Sequence, residues 1–254
     1  YGVFRMKEYD VAYNGVTEAL KAGYRAIDTA AIYQNEEAVG VAIKDSGIPR
    51  EEIFVTTKVW NADQGFDNTL RAFETSLKKL GLDYVDLYLT HWPKPTLAET
   101  YKAIERLYEE KLIRVPGVSN HHQHHLEEVF AVANVKPMVN QFECHPSLSQ
   151  DSLRAFCAQH NIAVTAWAPL GTGIVFTHPV VKQLAEKYGK TVAQIVLRWH
   201  LEIGNIAIPK SVTPERIKEN LDVFNFSLQT DEVAAITALN TFHRTASDPD
   251  NFDF

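Results

Sequence analysis

The sequence predicts an α/β fold, a closed (β/α)8 TIM barrel, on three observations. Short apolar runs alternate with helical patterns along the whole chain, the pattern of a parallel sheet wrapped by helices. The 254 residues match the usual size of one such barrel, so residues 1–254 are read as a single domain. A polar residue also stands wherever an apolar run stops. Asp28 follows Arg25-Ala26-Ile27, Lys58 follows Ile53–Thr57, and His91 follows Val85–Thr90. Ser119-Asn120 follow Gly117-Val118, Gln141 follows Pro137–Asn140, and Lys210 follows Ile206–Pro209. In a parallel barrel these stops share the C-terminal rim, where such folds carry their chemistry.

The elements follow in order. Gly2–Phe4 is the first strand candidate, and residues preceding Tyr1 are expected to be missing. Val11–Lys21 reads as a helix ended by Gly23, followed by strand Tyr24–Asp28. Helix Asn35–Lys44 is closed by Gly47, with Pro49 beyond it. Strand Ile53–Lys58 precedes helix Asp67–Lys79, where Leu70, Phe73, Leu77 and Leu80 recur at helical spacing before Gly81. Strand Val85–His91, helix Leu97–Glu110, strand Ile113–Val118 and helix His124–Ala133 continue the alternation. Strand Pro137–Gln141, helix Ser149–His160, strand Ile162–Trp167, helix Thr191–Leu201 and strand Asn205–Pro209 complete it. Pro214 opens a short helix, where its missing N–H costs nothing. Val180–Tyr188 and Thr230–Leu239 read as extra helices. The irregular tail Asp248–Phe254 is expected to fold over the rim.

Composition narrows the partners. A net charge of −7 argues against a nucleic-acid surface, and 45% hydrophobic residues can fill a large core. Cys144 and Cys157 give neither a disulfide framework nor metal-ligand spacing, which points to a reducing, cytoplasmic home. No apolar stretch approaches the length of a membrane span, and no signal peptide is visible. No metal is expected. The run His121-His122-Gln123-His124-His125 reads as exposed histidines starting a helix, with no carboxylate or cysteine to complete a ligand set. Gly171-Thr172-Gly173 is not a dinucleotide fingerprint, since no third glycine follows.

The residue types at the rim suggest a reaction. Asp28, Lys58 and His91 end strands, and Tyr33 lies in the loop after the first of them. A lysine cation near a phenol favours the phenolate, which lowers the tyrosine pKa and makes it a usable acid. A histidine can hydrogen-bond a carbonyl oxygen and orient it. Together these groups can protonate an oxygen on which negative charge develops, as carbonyl reduction by hydride requires. The hydride must come from a nicotinamide cofactor, because no side chain supplies one.

Several segments carry a resemblance. Gly23–Ala30 with Tyr33, Asn35, Glu36 and Gly40 resembles the first signature of the aldo-keto reductases, and Ile208–Ser211 with Arg216, Glu219 and Asn220 resembles their third. Leu89–Pro93 and Val139–Pro146 match as well. The chain looks closest to bacterial and plant members related to 2,5-diketogluconate and glyoxal reductases. The resemblance implies that Tyr33 is the general acid, that Lys58 depresses its pKa and pairs with Asp28, and that His91 orients the substrate carbonyl. It implies NADPH as cofactor. Ser119, Asn120 and Gln141 would hold the nicotinamide carboxamide, and Trp167 would stack on its ring. Leu170 and Gly171 would meet the phosphates; Lys210, Ser211, Val212, Thr213, Arg216, Glu219 and Asn220 would grip the adenosine end. Phe4, Trp60 and Trp92 would line the substrate pocket. The substrate would be a small aldehyde, dicarbonyl or keto sugar, and the protein a monomer.

Departures and alternatives accompany this reading. Pro116 and His121 stand where the family's second signature carries an apolar and an aromatic residue, and Pro116 is expected to bend its strand before Ser119 and Asn120. The turns after Pro93 and Gly173 are short against the family. A Schiff-base aldolase using Lys58, and a non-catalytic member that binds cofactor, are the competing functions.

Overall fold

The computed structural model describes residues 1–254. Seven parallel strands pair in chain order: β1 (Ala26–Asp28), β2 (Phe54–Val59), β3 (Val85–Thr90), β4 (Ile113–Ser119), β5 (Val139–Glu143), β6 (Ala163–Trp167) and β7 (Ile206–Ala207). The expected strand Gly2–Phe4 is corrected to one bridge, Gly2 to Asp28. Its backbone still joins the two ends of the sheet. Asp28 N donates to Tyr1 O at 2.8 Å and Val3 N to Asp28 O at 3.1 Å, while Gly2 N donates to Pro209 O at 3.1 Å. The sheet therefore closes through Tyr1–Val3. Pairing is too short there for a strand because Phe4 leaves the ladder and Arg5 turns into the left-handed region at φ 65°.

Ten helices surround the sheet: α1 (Tyr9–Ala22), α2 (Glu36–Asp45), α3 (Phe66–Leu80), α4 (Leu97–Glu109), α5 (Gln123–Val132), α6 (Asp151–Gln159), α7 (Pro179–Tyr188), α8 (Val192–Glu202), α9 (Pro214–Leu221) and α10 (Thr230–Thr237). Local chemistry sets their ends. α3 buries Phe73 and Leu80, and Gly81 ends it in the left-handed region, its N–H returning to Leu77 and Lys78 carbonyls. At α8, Thr191 and Gln194 form a reciprocal capping box. Gly40 of α2 has no room for a side chain, since a Cβ there would lie 2.0 Å from Leu80 O.

Two apolar layers result. A cluster of 44 buried residues includes much of the helix-facing side of the strands and the helices themselves. Leu87, Leu89 and Val139 form a separate small cluster with Val115 against it. Period two along a strand places these residues on one face with particular rim residues. Leu87 and Leu89 share a face with His91, Val115 and Gly117 with Ser119, and Val139 with Gln141. The apolar plug of the barrel thus continues upward into the polar rim.

Pro116 does not interrupt its strand, which runs unbroken from Ile113 to Ser119 in one register with β3. Its carbonyl accepts from Met138 N at 2.9 Å, so its nitrogen faces the β5 side too. The β4–β5 ladder begins only at Gly117 opposite Val139, so the missing N–H costs no rung. Gly117 is required beside it: a Cβ would lie 2.6 Å from Leu89 Cδ2 and 2.9 Å from Val139 O.

The tail does cover the rim. Thr245 donates to Glu143 Oε1 through its N–H at 2.6 Å and its hydroxyl at 2.5 Å. Phe252 packs on Trp92 at 5.0 Å between centroids, and Phe254 stacks on Trp60 at 5.9 Å. Asn61 Nδ2 donates to the Phe254 carbonyl at 3.1 Å. No helix is long and apolar enough to cross a membrane.

Candidate active site

At the C-terminal ends of the strands lies a cavity of about 970 Å³, within the range of small-molecule and cofactor sites. Asp28, Tyr33, His91, Ser119, Asn120, Gln141, Trp167, Leu170 and Lys210 line it, as do Phe4, Trp60 and Trp92. Lys58 sits behind this lining, fully buried.

Lys58 and Asp28 are the electrostatic centre. Lys58 Nζ donates to Asp28 Oδ1 at 2.5 Å and to Thr29 O at 2.9 Å. Asp28 Oδ2 accepts from Gln141 Nε2 at 2.7 Å, so both carboxylate oxygens are engaged. Burial alone would lower the lysine pKa, but Asp28 and Tyr33 beside it carry the balance upward, above the ordinary lysine value. Lys58 is therefore a fixed cation. Its Nζ lies 5.1 Å from the Tyr33 ring centre.

Tyr33 ends a short 3-10 turn, Ala31–Tyr33, and is wedged between Phe4 at 5.1 Å and the His91 ring at 5.7 Å. The expected pull of Lys58 on its pKa is present, but it does not decide the net direction. Burial pushes it up, Lys58 pulls it down, Asp28 adds to the rise, and the net direction is upward. Desolvation of a phenolate outweighs one cation already shared with a carboxylate. His91 moves the other way. Burial first, and then Lys58, hold its pKa well below the ordinary value, so the imidazole is neutral at pH 7. Its Nδ1 is buried without a partner. The site thus holds a phenol that keeps its proton at neutral pH, beside a neutral imidazole and above a buried cation.

The neighbouring rim residues form a network of their own. Asn120, in the left-handed region at φ 63°, donates through Nδ2 to His91 O at 2.9 Å and accepts from Trp167 Nε1 at 2.8 Å. Ser119 Oγ donates to Gln141 O at 2.8 Å. His121 is a buried neutral core residue: burial lowers its pKa to about 3, and its Nδ1 lies 2.8 Å from Ser119 O.

Of the residues expected at the far end of a dinucleotide, Lys210 lines the cavity and the others lie beyond its wall on the segment after β7. Lys210, Val212 and Arg216 are exposed, Ser211 and Asn220 are buried, and Thr213 and Glu219 are half-buried. Thr213 N donates to Ser211 Oγ at 3.1 Å, and Glu219 accepts from Thr191 Oγ1 at 2.8 Å. Gly171 does not face the cavity. It packs on the His145 ring, where a Cβ would lie 2.9 Å from the imidazole, and Thr172 and Gly173 line the cavity instead. Sequence reasoning missed these two, together with Arg5, Ile32, Phe176 and the tail residues Thr245, Ala246, Ser247 and Phe254. Arg5 adjoins Phe4, and Phe254 belongs to the tail expected over the rim, so these two had a signal in the sequence.

One further expectation is corrected. A carboxylate does reach the histidine run: Asp250 of the tail lies against His122, His124 and His125.

Comparison with known proteins decides the family. The model of the aldo/keto reductase family matches residues 5–241. This chain belongs to the aldo/keto reductase family. It is 50% identical over 254 residues to the glyoxal reductase of Bacillus subtilis (strain 168), covering 100% of this chain and 92% of that protein. It is 51% identical over 255 residues to the 9,11-endoperoxide prostaglandin H2 reductase of Trypanosoma cruzi (strain CL Brener), covering 99% and 90%. A crystal structure of a Gox0644 mutant in complex with NADPH superposes with a TM-score of 0.95 at 44% identity, covering 100% of this chain and 93% of the other. The family assignment makes this aldo/keto reductase a carbonyl-reducing enzyme.

Proposed function

We propose that this aldo/keto reductase reduces small aldehydes and ketones to alcohols with NADPH, and that Tyr33 delivers the proton. The observation that carries the proposal is a phenol and an imidazole facing one cavity over the buried Lys58–Asp28 pair, where burial raises the phenol pKa and lowers that of the imidazole. A bound reduced nicotinamide supplies the hydride. The residues present fit it: the cavity accommodates a nicotinamide end, Gln141, Asn120 and Ser119 present amide and hydroxyl groups there, and Trp167 is pinned edge-on by Asn120. The hydrogen bonds these amides now make within the protein are ones a carboxamide would exchange with them. Lys210 and Arg216 extend the track as exposed cations for phosphate groups, near the N-terminus of α9.

The chain's own groups do the rest. His91, neutral, donates one hydrogen bond to the substrate oxygen and sets its direction. Tyr33 transfers its proton to that oxygen as charge builds on it. Lys58 is kept cationic and stabilises the phenolate left behind, and Asp28 holds Lys58 in place. His91 is a poor competitor for the acid role, because burial keeps its imidazolium from forming near pH 7. Phe4, Trp60, Trp92 and the tail Phe254 wall the substrate end with aromatic surface, which suits compact carbonyl compounds such as dicarbonyls and keto sugars.

The aldolase reading fails on Lys58. A Schiff-base lysine must present a neutral amine, whereas this amine is held charged by Asp28 and fully buried. Borohydride with a carbonyl substrate should trap no adduct. Tyr33→Phe tests the main proposal: turnover with NADPH should fall by about 10²–10⁴ with cofactor affinity unchanged. Near-normal turnover in that variant overturns it.

A further inference from the structure

We infer that His122, His124, His125 and Asp250 form a surface site for a borderline divalent transition-metal ion, with Zn²⁺ as the representative, which fastens the C-terminal tail to the start of α5. The four residues each offer one ligand atom, and these atoms all lie within 4.8 Å of one another. Ligands around one tetrahedral ion at about 2.0–2.2 Å stand about 3.3–3.6 Å apart, so side-chain rotations that draw the widest pair in by roughly 1 Å close the set. Three imidazoles and one carboxylate suit zinc or another borderline ion, not calcium or magnesium, which require oxygen ligands.

The placement is not that of loose surface histidines. The three rings come from one four-residue stretch at the beginning of α5, and Asp250 arrives from 125 or more residues away. His122 Nδ1 is 3.0 Å from Asp250 Oδ2, while His124 Nε2 and His125 Nε2 are 3.0 and 3.4 Å from Oδ1. The His124 and His125 ring centres are 3.9 Å apart. Asp250 itself is held in position. It lies within the Asp248–Asn251 turn, its N–H donates to Asp248 Oδ1 at 2.9 Å, the adjoining Pro249 is buried, and Arg244 Nε pairs with Asp248 at 2.8 Å.

In the metal-free arrangement, ring N–H groups share this carboxylate. An ion takes the place of those protons, each of which moves to the other nitrogen of its ring, so the imidazoles bind as neutral tautomers. Two hydrogen bonds are exchanged in the process. His125 Nδ1 gives up the one it accepts from His122 N at 3.2 Å, and Arg244 Nη2, 3.1 Å from His122 Nε2, must swing aside. His124, His125 and Asp250 form a ligand triple that does not require the Arg244 movement, with His122 as the fourth.

The consequence lies two and four residues further on. Phe252 and Phe254 pack against Trp92 and Trp60, and Phe254 lines the cavity. An ion on Asp250 shortens the free tail to these residues and holds the aromatic cover in place.

The test uses the full chain without a histidine tag, titrated with Zn²⁺ by calorimetry and with Co²⁺ by visible absorption. One equivalent should bind at micromolar protein, with the absorption bands of a low-symmetry cobalt site. Asp250→Ala and the double variant His124→Ala/His125→Ala should each weaken binding at least tenfold. Hydrogen exchange of residues 248–254 should slow with Zn²⁺ in the wild type and not in Asp250→Ala. No binding up to millimolar Zn²⁺, or binding that survives Asp250→Ala undiminished, overturns the four-residue site. Binding without slowed exchange in the tail overturns the fastening.

Discussion

The floor of the pocket and the segment after β7 carry positive charge in opposite ways. Lys58 is fully buried, donates to a carboxylate and a carbonyl, and has no exposed surface to offer. Lys210 and Arg216 are exposed and neither is in an ion pair. The difference separates two uses of a cation. A buried and fully satisfied one holds its neighbours in position, and under the proposed function it serves the chemistry. A solvated and unpaired one costs nothing to leave alone and is free for an anion, and under the proposed function it serves binding. Changes in the first region should therefore cost both fold and rate, and changes in the second should cost affinity alone.

The sharpest way to break the contrast is Lys58→Met. Removing the cation strands Asp28 in a buried site, which typically costs about 3–5 kcal/mol. The Tyr33 pKa should rise further, because burial and Asp28 then act unopposed. Denaturant unfolding should show the stability loss, and turnover should fall by about 10² or more. Normal stability in this variant would mean that Asp28 is not committed to Lys58.

Acid should also act on the buried side. His91, His121 and His200 are buried and neutral, the last two with pKa values lowered by burial to about 3. Below the ordinary value of 6.5 the unfolded chain binds protons at these positions and the folded chain does not. Stability is thus full above that value and falls as pH drops below it, by up to about 1.4 kcal/mol per pH unit for each histidine. Thermal melts between pH 7 and pH 4 should show a steep decline. A flat melting temperature across this range would contradict the burial of the three rings.

The binding side should respond differently. Arg216→Ala should weaken NADPH by tenfold or more, since a charge-assisted hydrogen bond is worth about 1.5–3 kcal/mol, while NADH binding and thermal stability stay nearly unchanged. Equal weakening of both cofactors would remove the 2′-phosphate from its reach. The smallest effect is expected at the cover. Phe254→Ala removes a stacked pair worth about 0.5–1.5 kcal/mol, so KM should change by at most about tenfold with kcat retained.

Much of this was legible along the chain because strand ends are local features. Asp28, Lys58, His91, Ser119 and Gln141 each close an apolar run, and period two then puts them on the face of the barrel interior. Helix ends were readable for the same reason, from Gly81 or Thr191. The rest depended on contacts between distant segments. Nothing near His122 announces Asp250, and nothing near Trp60 announces Phe254. The direction of the Tyr33 pKa depends on how deeply neighbouring side chains bury it, which no spacing encodes. Gly2–Phe4 reads as a strand by composition, yet Arg5 turns away and leaves one bridge. Pro116 reads as a break, but its nitrogen faces a stretch where β5 has not begun to pair.

The central claim is that the proton travels through Tyr33, with His91 only orienting the oxygen. The most direct measurement is the pH profile of alcohol oxidation with NADP⁺ for the wild type, Tyr33→Phe and His91→Gln. In this direction the phenol must first lose its proton to act as a base. The wild type and His91→Gln should both gain activity toward alkaline pH, and Tyr33→Phe should lose that limb along with most of its turnover. A limb that survives in Tyr33→Phe and disappears in His91→Gln would contradict the account and assign the proton to the histidine.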